Sequence, residues 1–141
     1  MWRSTVKSCK IVALALSLVA VTVSLSFAAP FQVTSASLNA TPAAYDGVCP
    51  ATIKFNGTIS ANTYPGVIKY IFTRSDGAMD TVVKTVTLST FTATSGSVQG
   101  TWTLGDPVKL PTYTGWMSIK VLSPNPMESN KANFKVVCSK K

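Results

Sequence analysis

Enzyme chemistry in a chain of 141 residues rests on few side-chain types, and here they are sparse: three cysteines, five carboxylates and no histidine. Lack of histidine removes both the commonest general base and the commonest metal ligand. Serines and threonines are plentiful, yet a hydroxyl nucleophile needs a base beside it. Lysine can play that part, but no Ser-x-x-Lys opens a helical stretch. The nearest pair of carboxylates is Asp76 and Asp80, flanking Gly77-Ala78-Met79. A calcium ion draws six or more oxygens, so the simpler reading is a turn aspartate capping its own backbone at Ser75-Asp76-Gly77. The sequence predicts no catalytic residue, no metal site and no cofactor. A hydrolase with no recognisable site stands last among the functional expectations.

The cysteines point to export. Arg3, Lys7 and Lys10 are followed by Ile11 to Phe27 without a charge, and Ser26-Phe27-Ala28 offers small residues for cleavage. That order is the layout of a secretory signal peptide over residues 1–28. The competing reading is an uncleaved anchor, since this apolar run sits at the lower limit for crossing a bilayer. Cys9 precedes the run, so it is not a lipidated cysteine. Residues 29–141 then form one domain with ten basic and five acidic side chains, and Cys49 and Cys138 as its only cysteines. One cysteine pair in an exported chain is most simply one disulfide.

Aromatic residues are the sequence's best hint of binding. Trp116 is out of phase with Met117, Ile119 and Val121, Tyr64 falls in a loop, and Tyr113 precedes a strand. Exposed Trp and Tyr stack on sugar rings or anchor protein partners, which makes these three the candidate ligand-binding residues. The plainer alternative packs Trp116 at a bulge under the preceding loop and makes Tyr113 a corner tyrosine. Asn39-Ala40-Thr41 and Asn56-Gly57-Thr58 match the N-glycosylation pattern, which matters only in a eukaryotic secretory pathway. Lys54, Lys69, Lys84, Lys109, Lys120, Lys131 and Lys135 are spread singly along the chain, with no basic stripe to read a nucleic acid. Isolated lysines of this kind guard sheet edges.

The elements that must position these residues are all strands. From Phe31 onward no apolar pattern has helical spacing. Short runs of β-branched and aromatic residues alternate with polar ones between Gly, Pro, Asn, Asp and Ser. The runs cover residues 31–38, 52–60, 67–74, 81–88, 97–104, 116–122 and 132–138. Parity turns Ile53, Phe55 and Ile59 inward, then Ile68, Tyr70 and Phe72, then Val98, Trp102 and Leu104. It does the same for Met117, Ile119 and Val121, and for Ala132, Phe134, Val136 and Cys138. Stepping back in twos from Ile53 reaches Cys49, so both cysteines face inward, at one pole of a sandwich whose strands alternate up and down. Residues 81–88 are the least regular, because Lys84 shares parity with Val86 and Leu88. Loops around Tyr64, Phe91 and Met127 gather at the opposite pole, where a rigid sandwich commonly presents binding surfaces. The expected fold class is all-β: a seven-stranded antiparallel β-sandwich.

The run Cys49-Pro50-Ala51-Thr52-Ile53-Lys54-Phe55-Asn56-Gly57-Thr58-Ile59 contributes to a wider likeness. With Tyr70-Ile71-Phe72-Thr73-Arg74-Ser75-Asp76-Gly77, Trp102 and Leu122-Ser123-Pro124-Asn125, it resembles the small immunoglobulin-like, fibronectin type III-like domains of secreted bacterial proteins. Phe72 stands where immunoglobulin domains often carry tryptophan. The resemblance implies that the sandwich is immunoglobulin-like but implies no catalytic or binding residue, and most such domains have no assigned activity. The leading expectation is a secreted, non-enzymatic domain that binds a protein or glycan outside the cell or in its envelope. The first alternative is a structural subunit of a surface assembly, joined by β-strand addition.

Overall fold

The computed structural model describes residues 26–89 and 94–140. Most of the expected leader, Cys9 and Phe91 lie outside the described residues. The described residues form no helix and nine strands: β1 (Val33–Thr41), β2 (Ala44–Val48), β3 (Ala51–Ala61), β4 (Gly66–Arg74), β5 (Lys84–Leu88), β6 (Ser95–Leu104), β7 (Thr112–Ser123), β8 (Met127–Glu128) and β9 (Ala132–Ser139). β1, β3 and β6 make a three-stranded sheet, and β2-β9-β7-β4-β5 a larger one, with β8 paired to the second half of β7.

The period-two pattern is obeyed on β3, β4, β6 and β9, whereas β1 shifts register between Val33 and Ser35 and β7 also buries Ser118 between Met117 and Ile119. Ile53, Phe55 and Ile59 are wholly buried, and so are Ile68, Ile119 and Val136. Side chains of the two sheets meet in one core. Phe55 stands edge-on to Phe134 across the sandwich at 5.6 Å between ring centroids, and Trp102 meets Phe134 at 5.2 Å. Each such ring or branched aliphatic chain removed from water contributes about 1.5–3 kcal/mol. Trp102 on β6 thus fills aromatic volume near the centre, beside Phe134 and Tyr113.

Three expectations are corrected. The first predicted strand, 31–38, runs on as β1, which pairs with β3 up to Thr41, and an unexpected strand follows it, β2, which pairs with β9 from Ala44. Pro42 has no N–H to continue the ladder, so the chain leaves one sheet there and reaches the other within three residues. It has no room to reverse, and β2 therefore runs parallel to β9, making the larger sheet mixed rather than antiparallel. β8 is a further short strand. Finally, the irregular run at 81–88 shortens to β5, which hydrogen-bonds to β4. Val86 and Leu88 are buried beside a half-buried Lys84.

Cys49 and Cys138 form a disulfide with Cα atoms 5.4 Å apart. Gly105, at φ +98°, lies so close that a Cβ there would meet the Cys49 sulfur at 2.6 Å and the Cys138 sulfur at 2.8 Å. Glycine is needed here for conformation and for space. The next residue, Asp106, holds the turn below the bridge, its Oδ1 accepting from Val108 N and Lys109 N, each at 2.8 Å. These two bonds keep its carboxyl below the usual value of 3.8. Because the folded value is the lower one, the bonds support the turn above that value and are lost as pH falls through it. The protection of the Val108 and Lys109 amides, taken relative to their intrinsic exchange rates, will fall in that acid window and stay constant in an Asp106→Asn control, which has no carboxyl to titrate.

The two long edges of the three-stranded sheet are treated differently. On β1, Leu38 N donates to Asn130 Oδ1 at 2.9 Å, while Asn130 Nδ2 donates to Leu38 O at 2.8 Å. Asn125 does the same at Val33, at 2.7 and 3.1 Å. Two carboxamides from the stretch between β7 and β9 thus stand in for a neighbouring strand and close this edge. Among the described residues no such side chain hydrogen-bonds the backbone of β6.

Candidate functional site

The three aromatics singled out from sequence do not form one platform. Tyr64 is exposed in the loop before β4, whereas Tyr113 opens β7 beyond the other end of β4, whose Arg74 lies opposite Met117. The length of β4, about 30 Å at 3.3 Å per residue, separates them. Tyr113 packs its ring on Trp102 at 5.5 Å and on Phe134 at 6.0 Å. Its hydroxyl shares a 3.2 Å hydrogen bond with Ser75 Oγ, which also accepts from Trp116 N. Tyr113 braces the corner between β4 and β7. Trp116 is half-buried, and the Lys131 ammonium sits 4.3 Å from its ring centroid, occupying the face that a sugar would stack on.

Asn39 and Asn56 are both exposed and directly opposite one another on β1 and β3. They belong to a larger pattern. Following the registers across the outer face of the three-stranded sheet gives the rows Ser35–Ser60–Ser95, Ser37–Thr58–Ser97, Asn39–Asn56–Gln99 and Thr41–Lys54–Thr101. Apart from Lys54, this face carries only hydroxyls and carboxamides. Asp76 and Asp80 are both engaged by protein groups: Asp76 Oδ1 accepts from Ala78 N at 3.0 Å, and Asp80 Oδ2 from Phe72 N at 3.2 Å. Among the described residues no group of three or more Cys, Asp or Glu is placed to hold a metal ion.

The main concavity is a groove of about 550 Å³ between the second half of β6 and the segment linking β4 to β5. It exists because β5 is short. β5 covers only the first half of β6, where Val86 lies so close that a Cβ on Gly96 would meet its Cγ1. Opposite Gln99, Gly100 and Thr101 the wall is instead the loop carrying Ala78, Met79 and Asp80. Gly100 lets Phe72 approach the sheet, since a Cβ there would stand 3.0 Å from the Phe72 ring. The floor is therefore apolar, made by Phe72 and Met117, which are both buried.

Cations dominate the rim. Arg74 is held on both sides: its Nε and a terminal nitrogen donate to Asp76 at 3.2 and 2.9 Å, and its guanidinium lies 4.5 Å from the centroid of the Trp102 ring. The Lys84 ammonium is 3.7 Å from Asp80 Oδ2 and 5.9 Å from the Phe72 ring centroid. Both ion pairs are partly exposed, where such pairs are worth about 0–1 kcal/mol. Lys54 makes no ion pair among the described residues. Next to the groove, burial pushes the Tyr70 phenol up from its ordinary value, and the Asp80 carboxylate adds to the effect, so this phenol stays protonated. Chemically the site suits a ligand with an apolar part for the floor and negative charge for the rim.

The three candidate aromatics lie apart from this groove, which no motif announced. One signal was available: Lys54 and Lys84 have the parity of Thr101 and of the inward stripe, respectively, but only the packing of β5 shows that they converge.

No protein-family model matches the chain, and no curated relative matches it. Among solved structures it is similar to the crystal structure of a candidate ApaA protein from Bordetella pertussis, at 16% identity and a TM-score of 0.36. The match covers 79% of this chain and 98% of that one. A likeness this loose transfers neither residues nor a role.

Proposed function

We propose that this chain is an exported, non-enzymatic immunoglobulin-like domain that binds a protein partner outside the cell or at its surface, through the groove beside β6. The observation that carries the reading is that groove: an apolar floor, a basic rim and an open strand edge in one place. Export is supported by the charged-then-apolar leader and by a disulfide that suits an oxidising compartment. Among the described residues no helix is long and apolar enough to cross a membrane. A glycan is the second reading, favoured by the hydroxyl and carboxamide face across β1, β3 and β6, whose rows could match a polyhydroxyl surface.

Site-directed photo-crosslinking in the producing cells separates the two. A benzoylphenylalanine at Thr101 will yield a discrete protein adduct, and Lys54→Glu with Lys84→Glu will reduce it at least tenfold. An adduct formed only from a probe at Asn56, and carrying glycan, moves the function to the outer face. No adduct from either position sinks the binding reading.

A further inference from the structure

We infer that the partner enters the groove as an extended acidic segment that adds a strand to the free edge of β6. This deepens the proposed function and rests on it. The argument begins with the guarded edge. Leu38 gives both its N–H and its C=O to Asn130, away from β3, so its pair with Gly57 is a non-hydrogen-bonded one. Antiparallel ladders alternate. Gly57 therefore directs its backbone groups toward β6, where it faces Val98, and Asn56 directs its own back toward β1. The backbone groups of Gln99 and Thr101, one step on each side of Gly100, are left pointing away from β3. Both residues line the groove.

The rest of the site suits a strand there. β6 carries no charge and no proline from Ser95 to Leu104, so it has neither of the usual blocks to pairing. β5 has a lysine and five residues, and β2 has an aspartate and five residues; β1 has its carboxamides. Among the described residues only β6 combines length with an open second half. Side chains of an added strand alternate between two faces: one set would meet Phe72 and Met117, the other Lys54 on the outer face. Charge decides the occupant. Arg74 and Lys84 are already paired with Asp76 and Asp80, whereas Lys54 has no ion pair among the described residues. A second copy would bring a second Lys54 to this face, whereas carboxylates on the outward set of an added strand would meet it favourably.

The test uses the exported chain and a capped peptide of four Glu-Val repeats, read by amide hydrogen exchange. Saturating peptide will slow exchange at Gln99 and Thr101 at least tenfold and leave Val33 and Leu38 unchanged. A Lys-Val version will bind at least tenfold more weakly. A Glu-Val version N-methylated at alternate residues, which cannot complete the ladder, will not protect either amide. Lys54→Glu with Lys84→Glu will reverse the preference between the two charged peptides. Equal binding of the N-methylated peptide, protection only elsewhere, no binding, or self-association through β6 would each overturn the inference. If Thr101 cross-links a partner while these peptides fail, the groove binds a folded surface and only the strand mode falls.

Discussion

Cys49→Ser with Cys138→Ser will lower the stability of the domain by about 4–5 kcal/mol, the value a chain-entropy argument assigns to a loop of this length. The bridge joins residues 89 positions apart, so most of the domain lies inside the loop it closes. For a domain of this size the loss corresponds to a fall of roughly 15–20 °C in Tm. The effect will also have a location. Cys49 sits between β2 and β3, and Cys138 lies in β9 opposite Gly47 of β2. Without the covalent tie, the five-residue β2 is held by its parallel ladder alone, and its amides will exchange first. Gly105, packed onto both sulfurs, faces a small cavity in the double serine variant. Urea denaturation of oxidised, reduced and serine forms measures the difference; a loss below about 1 kcal/mol would show that the entropic account does not apply to this bridge.

Asn125→Ala with Asn130→Ala will cost about 2–6 kcal/mol, since each carboxamide makes two bonds to the β1 backbone and each bond contributes roughly 0.5–1.5 kcal/mol net. Stability is only half of the expected result. β1 is as free of charge and proline as β6, and nothing else among the described residues hydrogen-bonds its outer edge at Val33 and Leu38. Removing the two amides exposes a nine-residue strand edge, and the variant will associate in a concentration-dependent way visible by sedimentation. Asn130→Asp gives a graded control. It can still accept from Leu38 N but places a carboxylate against Leu38 O, so it will destabilise while its charge limits association. A double alanine variant that remains monomeric at high concentration would mean that the asparagines merely anchor the stretch between β7 and β9.

These outcomes depend on features of unequal visibility in the sequence. The inward stripes of β3, β4, β6, β7 and β9 are legible because parity is a local property: Ile53, Phe55 and Ile59 must share a face in any strand. The cysteine pairing follows from the same parity and from there being two cysteines after the leader. The break at Pro42 was less legible, although a proline without an N–H is a signal that a ladder stops. That β2 then joins the other sheet depends on where β9 lies. Asn125 reads in sequence as a turn residue between two prolines, and nothing local reveals that its amide pairs with Val33. Trp116 was placed on the outer face by phase, but Lys131 over its ring is a contact the phase does not show.

Strand character, buried faces, the disulfide and the scarcity of catalytic groups were thus determined by the sequence alone, since each depends on residue type or on spacing within one strand. The tertiary structure decided which edges are closed and which is open. Asn125 and Asn130 each lie 92 positions from the backbone they cover. The groove exists because β5 pairs with β4 and ends before it can shield Gln99 and Thr101. Edges are made by whatever fails to arrive beside a strand, and in a sandwich that is settled by contacts between segments far apart in the chain.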